Sequence, residues 1–405
     1  MRREIAWAAR FLVSPLRWII RKCAEWLPIL ARRGGEWWPA VLRKFREALL
    51  VVAISLVVLE IALQATVRLG YFNLSLPSYS IATIVPFWED LDEHFGVWHR
   101  PQVRYRHRKS CFDITYTSNS HGMRDKEVAV SSQVPRVVVL GDSFVEGFGI
   151  EDGSRFTDRL AQKTGIEHLN FGTSGDFGTT QSYFLYKTLA SKFDHGAVIF
   201  SIFPSNDFFD DLPTEARLRR GARYRPYLVG RYPDYELRYP AGGLSKDYQL
   251  DFRLWNAIRE FTLTGRAAEY AVTVTQQTIA SAARGSVPKK GTSLYFEYPS
   301  DGFDRLRYAL ENIKAIAGDR PVLIFTIPMF QDYDEASRTP GIPPLTRELR
   351  ALSDKLGITY VDLLEKMSLA ELFESSLQCD FHWSQVGHRK VAEIISQWKF
   401  YRELH

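Results

Sequence analysis

The chain has 405 residues, 45% hydrophobic, 14% aromatic and 24% charged; this is enough apolar material for a sizeable core and excludes disorder throughout. The formal charge is +5, yet residues 1–46 hold 11 Lys and Arg against Glu4, Glu25 and Glu36, a net +8, which leaves −3 for the remainder. A nucleic-acid binder carries its positive charge on the folded body, so this distribution sets nucleic acid aside as a partner.

Residues 1–46 read as a basic, amphipathic segment. Leu12, Leu16, Ile19, Ile20, Cys23, Leu27 and Leu30 fall on one helical face, Arg10, Arg17 and Arg21 on another, and Trp7, Trp18, Trp26, Trp37 and Trp38 are interspersed. Such a segment suits the headgroup layer on the cytoplasmic side, or alternatively a helix-binding partner, and Pro15 and Pro28 interrupt any continuous helix. Residues 47–69 follow as a transmembrane helix built on "ALLVVAISLVVLEIALQATV", long enough for the ~20 residues a bilayer core requires. Glu60 interrupts it, at a cost of about 2.5–3.5 kcal/mol were it at the bilayer centre. The charge bias predicts a cytoplasmic N-terminus, a single pass, and everything after residue 70 in the periplasm or outside the cell. The long basic region ahead of the span and the lack of a small-residue cleavage site after it favour an uncleaved anchor over a signal peptide. A buried helix of a soluble domain is the alternative.

Residues 70–130 form a β-containing lead-in, in which Phe112, Ile114 and Tyr116 alternate onto one face while Arg104, Arg106 and Arg108 line an edge, either solvated or facing an acidic glycan or phospholipid. From residue 131 to 405 strand and helix alternate. Strands are expected at Arg136–Leu140, Glu167–Phe171, Ala197–Phe203, Pro321–Ile327 and Ile358–Leu363. Helices are expected at Phe156–Lys163, Gln181–Ser191, Phe303–Ile316, Pro344–Leu356 and Ser384–Lys399. This alternation predicts an α/β fold with a central, mostly parallel sheet, helices on both faces and ligands at the carboxyl ends of the strands. An insertion over about residues 212–300, rich in Tyr, Arg, Pro and Gly and with a helical piece around Leu254–Thr264, is either a lid or substrate wall or a surface excursion.

Ser143 lies at the exit of the first of these strands, in "RVVVLGDSFVEGFG". There it could cap a helix, as could Asp142, or act as a nucleophile. The later strand exits carry Gly175 in "LNFGTSGDFGTTQ" and Asn206 in "FSIFPSNDFFDD", and Asp380 and His382 stand in "CDFHWSQVGHRKVAEII" before the last helix. A serine nucleophile needs a base, which His382 supplies when a carboxylate such as Asp380 fixes its tautomer. An acyl-transfer oxyanion needs donors, and the backbone N–H groups of Ser143 and Gly175 with the Asn206 side-chain amide are the candidates.

At these residues the sequence resembles the SGNH hydrolases, also called GDSL esterases and lipases, through "GDSF", "TSGD", "SNDF" and the Asp380–His382 pair. The resemblance runs from about residue 112 to the C-terminus, because "TSNSHGMRDKE" looks like the lead-in of membrane-anchored bacterial members. It implies a three-layer flavodoxin-like sandwich, and catalysis by Ser143, His382 and Asp380 with an oxyanion hole of Ser143, Gly175 and Asn206. The implied activity is hydrolysis or transfer of acyl groups, frequently O-acetyl groups on carbohydrate, with an acylated carbohydrate or small ester as substrate. An esterase, an O-acyltransferase and a non-catalytic glycan-binding or assembly protein all remain compatible with these residues. Two departures stand out: Pro204 and Ser205 precede Asn206 where glycine is common, and the last block is Asp-x-His rather than Asp-x-x-His. The latter, followed by Trp383, looks like members linked to bacterial exopolysaccharides.

His388, and His94 with His99, read as structural histidines because no ligand-spaced cluster accompanies them, and no metal is expected. Asp207, Asp210 and Asp211 form an acidic run that could favour a divalent ion but reads rather as a solvated loop. Gly141, Gly147 and Gly149 match neither dinucleotide- nor nucleotide-binding fingerprints, so no cofactor is assigned. Cys111 and Cys379 are either a disulfide, which would pin the Asp380 loop to the lead-in, or two buried thiols.

Overall fold

The computed structural model describes residues 38–71, 74–84, 86–175, 177–219, 223–244, 250–282 and 292–403, so the segment expected over residues 1–46 lies outside it except for residues 38–46. The chain divides into two compact units. One holds α1 (Trp38–Arg68), residues 108–110 and the helices Leu250–Phe261 and Leu263–Ala282. Among the described residues α1 is the one helix long and apolar enough to cross a membrane. Inside this unit Val67, Leu74 and Leu263 are buried together, with Leu63, Leu76 and Ala267 packed against them. The single helical piece expected around Leu254–Thr264 is thus two helices, broken at Thr262.

The lead-in contributes the antiparallel pair β1 (Trp88–Asp92) and β2 (Gly96–His99) and the pair β3 (Arg104–Lys109) and β4 (Phe112–Thr117). On β4 Ile114 and Tyr116 are buried and Phe112 half-buried, as their alternation predicts. Next come β5 (Arg136–Gly141), α2 (Ser143–Glu146), α3 (Phe156–Thr164), β6 (Glu167–Gly172), α4 (Thr179–Thr188), β7 (Ala197–Ile202) and α5 (Pro204–Asp210). The hairpin β8 (Tyr227–Arg231) and β9 (Asp234–Arg238) belongs to the insertion. It is followed by α6 (Ser300–Ala317), β10 (Val322–Thr326), α7 (Pro344–Leu356), β11 (Thr359–Asp362) and α8 (Gln385–Ile395).

Five of these strands form one parallel sheet in the order β11-β10-β7-β5-β6. Strand periodicity splits their side chains between two cores. Val138, Leu140, Val198, Phe200 and Ile324 face α4, α6 and α7, while Val137, Val139, Ile199, Leu323 and Phe325 face α3 and α8. The result is a three-layer sandwich with the flavodoxin-like strand order, in which the chain reverses direction across the sheet at β5. The five sheet strands and α3, α4, α6, α7 and α8 stand where the sequence expected a strand or helix, whereas α2, α5, the hairpin β8–β9 and the helix Phe330–Arg338 were not expected. That helix buries only Asp332, whose Oδ2 accepts the Met329 N–H at 2.6 Å, so it shows no apolar stripe to read.

Candidate active site

β5 is buried along its whole length and delivers Ser143 to the carboxyl edge of the sheet, at the reversal point. Asp142 caps α2: its Oδ1 accepts the Phe144 N–H at 3.0 Å. Burial, joined by the nearby Glu146 charge, pushes the Asp142 carboxyl up to about 7 against the hydrogen bond from Phe144. With the capping done by its neighbour, Ser143 is left half-buried with its hydroxyl available. Ser143 Oγ lies 2.7 Å from His382 Nε2, and His382 Nδ1 lies 2.6 Å from Asp380 Oδ1. A carboxylate at Nδ1 holds the ring proton there and turns the Nε2 lone pair toward the serine hydroxyl, the arrangement a general base requires.

The histidine loop is held from several sides. Phe148 stacks on the His382 ring at 4.3 Å between centroids and Phe144 lies at 4.8 Å. Trp383 is buried against Phe144, Phe156 and Phe325. The Leu377 N–H donates to His382 O at 2.8 Å and the Ser384 N–H to Ser375 O at 2.7 Å. Asp380 Oδ1 also accepts the His382 N–H at 3.3 Å, so the short Asp-x-His spacing closes a local turn that sets the carboxylate against the ring. Cys111 and Cys379 form a disulfide with Cα atoms 5.6 Å apart, which ties the residue before Asp380 to the start of β4.

β6 and β7 flank β5 in parallel register, Leu140 pairing with Phe171 on one side and Phe200 on the other. The loops that carry Gly175 and Asn206 therefore open at the same edge as Ser143. A Cβ on Gly172 would lie 2.2 Å from the Glu146 backbone nitrogen, so only glycine lets β6 end against the turn that holds Ser143. Gly175 has φ +108°, and a Cβ there would lie 2.6 Å from Arg223 Nη2. Asn206 sits in the first turn of α5, which Pro204 opens.

The acidic run beside Asn206 is not the solvated loop expected. Asp207, Asp210 and Asp211 are all buried: Asp207 and Asp211 satisfy helix starts, and Asp210 lies 3.7 Å from the buried Arg225. Asp207 Oδ2 accepts the Phe203 N–H at 2.8 Å, and Asp211 accepts the Thr180 N–H at 3.0 Å and the Thr179 hydroxyl at the head of α4. Burial, with Asp142 and Asp211 close by, drives the Asp207 carboxyl well above the usual range. His388 is buried; its Nδ1 accepts the Phe156 N–H at 3.0 Å, and burial together with Arg124 and Arg155 pushes its pKa down to about 3. Of the arginine edge, Arg106 pairs with Asp113 at 2.6 Å and Arg108 Nη1 donates to Pro77 O at 2.7 Å. Among the described residues no group of three His, Cys, Asp or Glu is placed to hold a metal ion.

The GDSL-like Lipase/Acylhydrolase family profile matches residues 139–390, well over half the chain and all five residues of the site. The chain belongs to that family. Among solved structures, the lipase/acylhydrolase from Enterococcus faecalis is similar at 12% identity and TM-score 0.35, over 66% of this chain and 96% of that one. A G-D-S-L family lipolytic protein from Veillonella parvula matches at 11% identity and TM-score 0.32, over 64% of this chain and 94% of that one. A carbohydrate esterase family 2 enzyme with a carbohydrate-binding domain from Corynascus thermopiles (Myceliophthora fergusii) matches at 10% identity and TM-score 0.35, over 67% and 66%. At this identity and TM-score they add nothing to the family assignment. No curated protein matches the chain.

Two residues of this GDSL acylhydrolase that sequence reading passed over hold the turn that carries Ser143. Glu146 is buried; each of its oxygens accepts the Trp88 Nε1–H at 3.1 Å, Oε2 also accepts the Ser174 N–H, and His99 Nε2 stands 3.6 Å from Oε1. Burial alone would raise its pKa, but His99, Arg124 and the Ser174 N–H outweigh it and hold the carboxyl below the usual range. Arg124, also buried, donates to Glu146 O at 3.0 Å, Gly147 O at 2.5 Å and Ile150 O, with its guanidinium 3.5 Å from the Tyr116 ring centroid. The available signal was weak: a lone charge in the apolar and glycine-rich stretch "SFVEGFG" for Glu146, and an Arg-Asp pair closing "SHGMRD" for Arg124.

Proposed function

We propose that this GDSL acylhydrolase is a membrane-anchored serine esterase that removes O-acyl groups, O-acetyl foremost, from carbohydrate outside the cytoplasm. The observation that carries the reading is the continuous chain of short contacts from Ser143 Oγ through His382 to Asp380. His382 Nε2 takes the hydroxyl proton as Ser143 Oγ attacks the acyl carbon, and Asp380 steadies the imidazolium that forms. The tetrahedral oxyanion accepts from the backbone N–H groups of Ser143 and Gly175 and from the Asn206 amide. His382 then protonates the departing sugar oxygen, leaving an acyl-serine that water, activated by the same histidine, hydrolyses.

The carbohydrate part of the reading rests on Asp380-Phe381-His382-Trp383, which resembles the exopolysaccharide-linked members. Three observations support the anchor. The +8 segment precedes an apolar helix whose residues Val41 to Leu59 are all exposed. Glu60 accepts hydrogen bonds from Leu263 and Thr264, contacts that a cleaved signal peptide could not keep. The Cys111–Cys379 disulfide suits an oxidising compartment. The test incubates the full-length protein with a panel of O-acetylated glycans and follows both free acetate and acetyl groups on an added oligosaccharide. Acetate release supports the esterase. Transfer to the oligosaccharide replaces it with an O-acyltransferase working through the same residues. No turnover together with no fluorophosphonate labelling of Ser143 overturns both.

A further inference from the structure

Glu60 is a carboxylate in the middle of an apolar helix, and the structure gives it an occupation. Oε1 accepts the Leu263 N–H at 2.8 Å and the Gln64 Nε2–H at 3.0 Å, and Oε2 accepts the Thr264 N–H and hydroxyl, each at 2.8 Å. It therefore caps the second helix of the insertion, Leu263–Ala282, where the unpaired amides of a helix start welcome negative charge. The same residue marks a change along α1. Every residue from Val41 to Leu59 is exposed, whereas Glu60, Leu63, Gln64, Thr66 and Val67 are covered or partly covered. Since the exposed stretch stays bare throughout, the capped helix meets α1 at Glu60 and does not run alongside the stretch before it.

The two insertion helices are locked to one another by their charges. Arg266 Nη2 donates to the buried Glu260 at 2.7 Å, and Arg259 Nη1 donates to Glu269 at 2.8 Å. Among the described side chains, most of what the pair leaves outward is apolar, with Thr273 and Thr275 the exposed polar ones. Leu254, Ile258 and Phe261, spaced i, i+4, i+7, are 59%, 44% and 42% exposed on the first helix. On the second, Leu263, Ala267, Tyr270 and Val274 form one stripe, whose first two members cover α1 while Tyr270 and Val274 are 52% and 40% exposed. The stripe that contacts the anchor thus continues past it onto residues that stay exposed.

We infer that the helical pair Leu250–Ala282 lies in the outer headgroup layer of the membrane, with Leu254, Ile258, Phe261, Tyr270 and Val274 dipping into lipid, and that Glu60 marks the level at which the chain leaves the bilayer. This rests on the anchor reading above. The lengths agree: Arg46 to Glu60 rises about 21 Å at 1.5 Å per residue, and the basic side chains at 43, 44 and 46 can snorkel toward the opposite headgroups to make up most of a ~30 Å core. Glu60 then pairs with backbone amides at the interface rather than standing bare in hydrocarbon, which removes the objection that a mid-span carboxylate raises.

Spin labels on the full-length protein in phosphatidylcholine vesicles test this, in a Cys23→Ser background. They are placed by Ile258→Cys and Val274→Cys, with Val52→Cys as the span control and Leu237→Cys, on an exposed strand of the other unit, as the water control. Collision with oxygen against a water-soluble nickel complex is expected to give 258 and 274 ratios several-fold above 237 and below 52. Ratios equal to that at 237, with 52 still in lipid, overturn the inference and leave the anchor standing. Immobilised labels reached by neither reagent mean that protein, such as a second copy, covers the face, and overturn it too. A water-like ratio at 52 removes the anchor and the inference together.

Discussion

Replacing Glu146 tests whether the turn under Ser143 is positioned or merely buried. In Glu146→Ala the Trp88 Nε1–H and Ser174 N–H both lose their acceptor inside the protein. Each stranded donor costs about 1–3 kcal/mol, so roughly 2–6 kcal/mol of stability should be lost, before any term for the cavity. Glu146→Gln keeps one oxygen and turns an NH₂ toward the remaining donors, so about 1–3 kcal/mol is expected. The Ser174 amide leads directly into Gly175, so loosening it should also move a candidate oxyanion donor. The turnover loss should approach, without exceeding, the roughly 10²–10³-fold cost of removing one such donor, and should fall on kcat rather than KM. Because the Glu146 carboxyl is held below its ordinary range, its contribution is present above the unfolded pKa of about 4.3 and is lost as pH falls through the lower folded value. The glutamine variant should therefore lose less stability than the parent on acidification below that point. The measurements are urea unfolding against pH and steady-state hydrolysis of an aryl acetate. A destabilised Glu146→Ala protein with parental kcat in its folded fraction would show that Glu146 only fills the core, and unchanged stability would refute the hydrogen-bond reading itself.

Ser143→Ala should melt at a near-parental temperature, since Asp142 does the capping, yet lose several orders of magnitude in turnover and all fluorophosphonate labelling; parental activity in this variant ends the catalytic reading. His382→Ala should lose nearly as much, and the Ser143→Ala/His382→Ala double variant should be little worse than either. Asn206→Ala should lower kcat by roughly 10²–10³-fold with little change in melting temperature, and a smaller effect would remove its amide from the oxyanion site. Cys379→Ser, which opens a bond spanning 268 residues, should cost about 2–5 kcal/mol and lower activity by freeing the Asp380 loop; retained turnover under reducing conditions would limit the disulfide to stability. For His388 the folded pKa of about 3 lies below the unfolded value of about 6.5, so the stability it lends is complete above pH 6.5 and drains as pH falls toward 3. The stability difference between the parent and His388→Gln should follow that window with a slope of about 1.4 kcal/mol per pH unit, and a flat difference would mean that His388 is not held neutral.

The parallel sheet was legible because four of its five strands, all but the half-covered β11, are short buried runs whose alternate residues enter two separate cores, and because most helices between them carry one apolar face. Pro344–Leu356 was readable residue for residue, with proline to open it and Gly357 at its end. Phe330–Arg338 was not, since only Asp332 is buried and periodicity has nothing to report. The insertion was visible as a break in the alternation. Its division between a strand hairpin in one unit and two helices in the other depends on Glu60 meeting Leu263 and Thr264 some 200 positions away, a contact no local pattern encodes.

The candidate site shows the same division between what spacing can and cannot convey. Ser143, Gly175, Asn206, Asp380 and His382 are readable because each sits at a strand exit or helix entrance, where short blocks recur in a fixed order. Which residue caps the helix is not a property of "GDS": Asp142 and Ser143 can both cap, and only the structure has Asp142 turning back to Phe144 and Ser143 facing His382. The acidic run after Asn206 misleads for a related reason. Aspartates in a loop usually mean solvent, but here the loop ends at the heads of α4 and α5, whose free amides take up Asp211 and Asp207 at full burial. Glu146 and Arg124 go furthest in this direction: each is one charged residue in an unremarkable context, and only when β1, β4 and the Ser174 loop converge do they become the groups that hold the serine's turn in place. Chemistry at the sheet edge is therefore written in local blocks, while the rigidity that makes it usable comes from buried charges whose partners lie far along the chain.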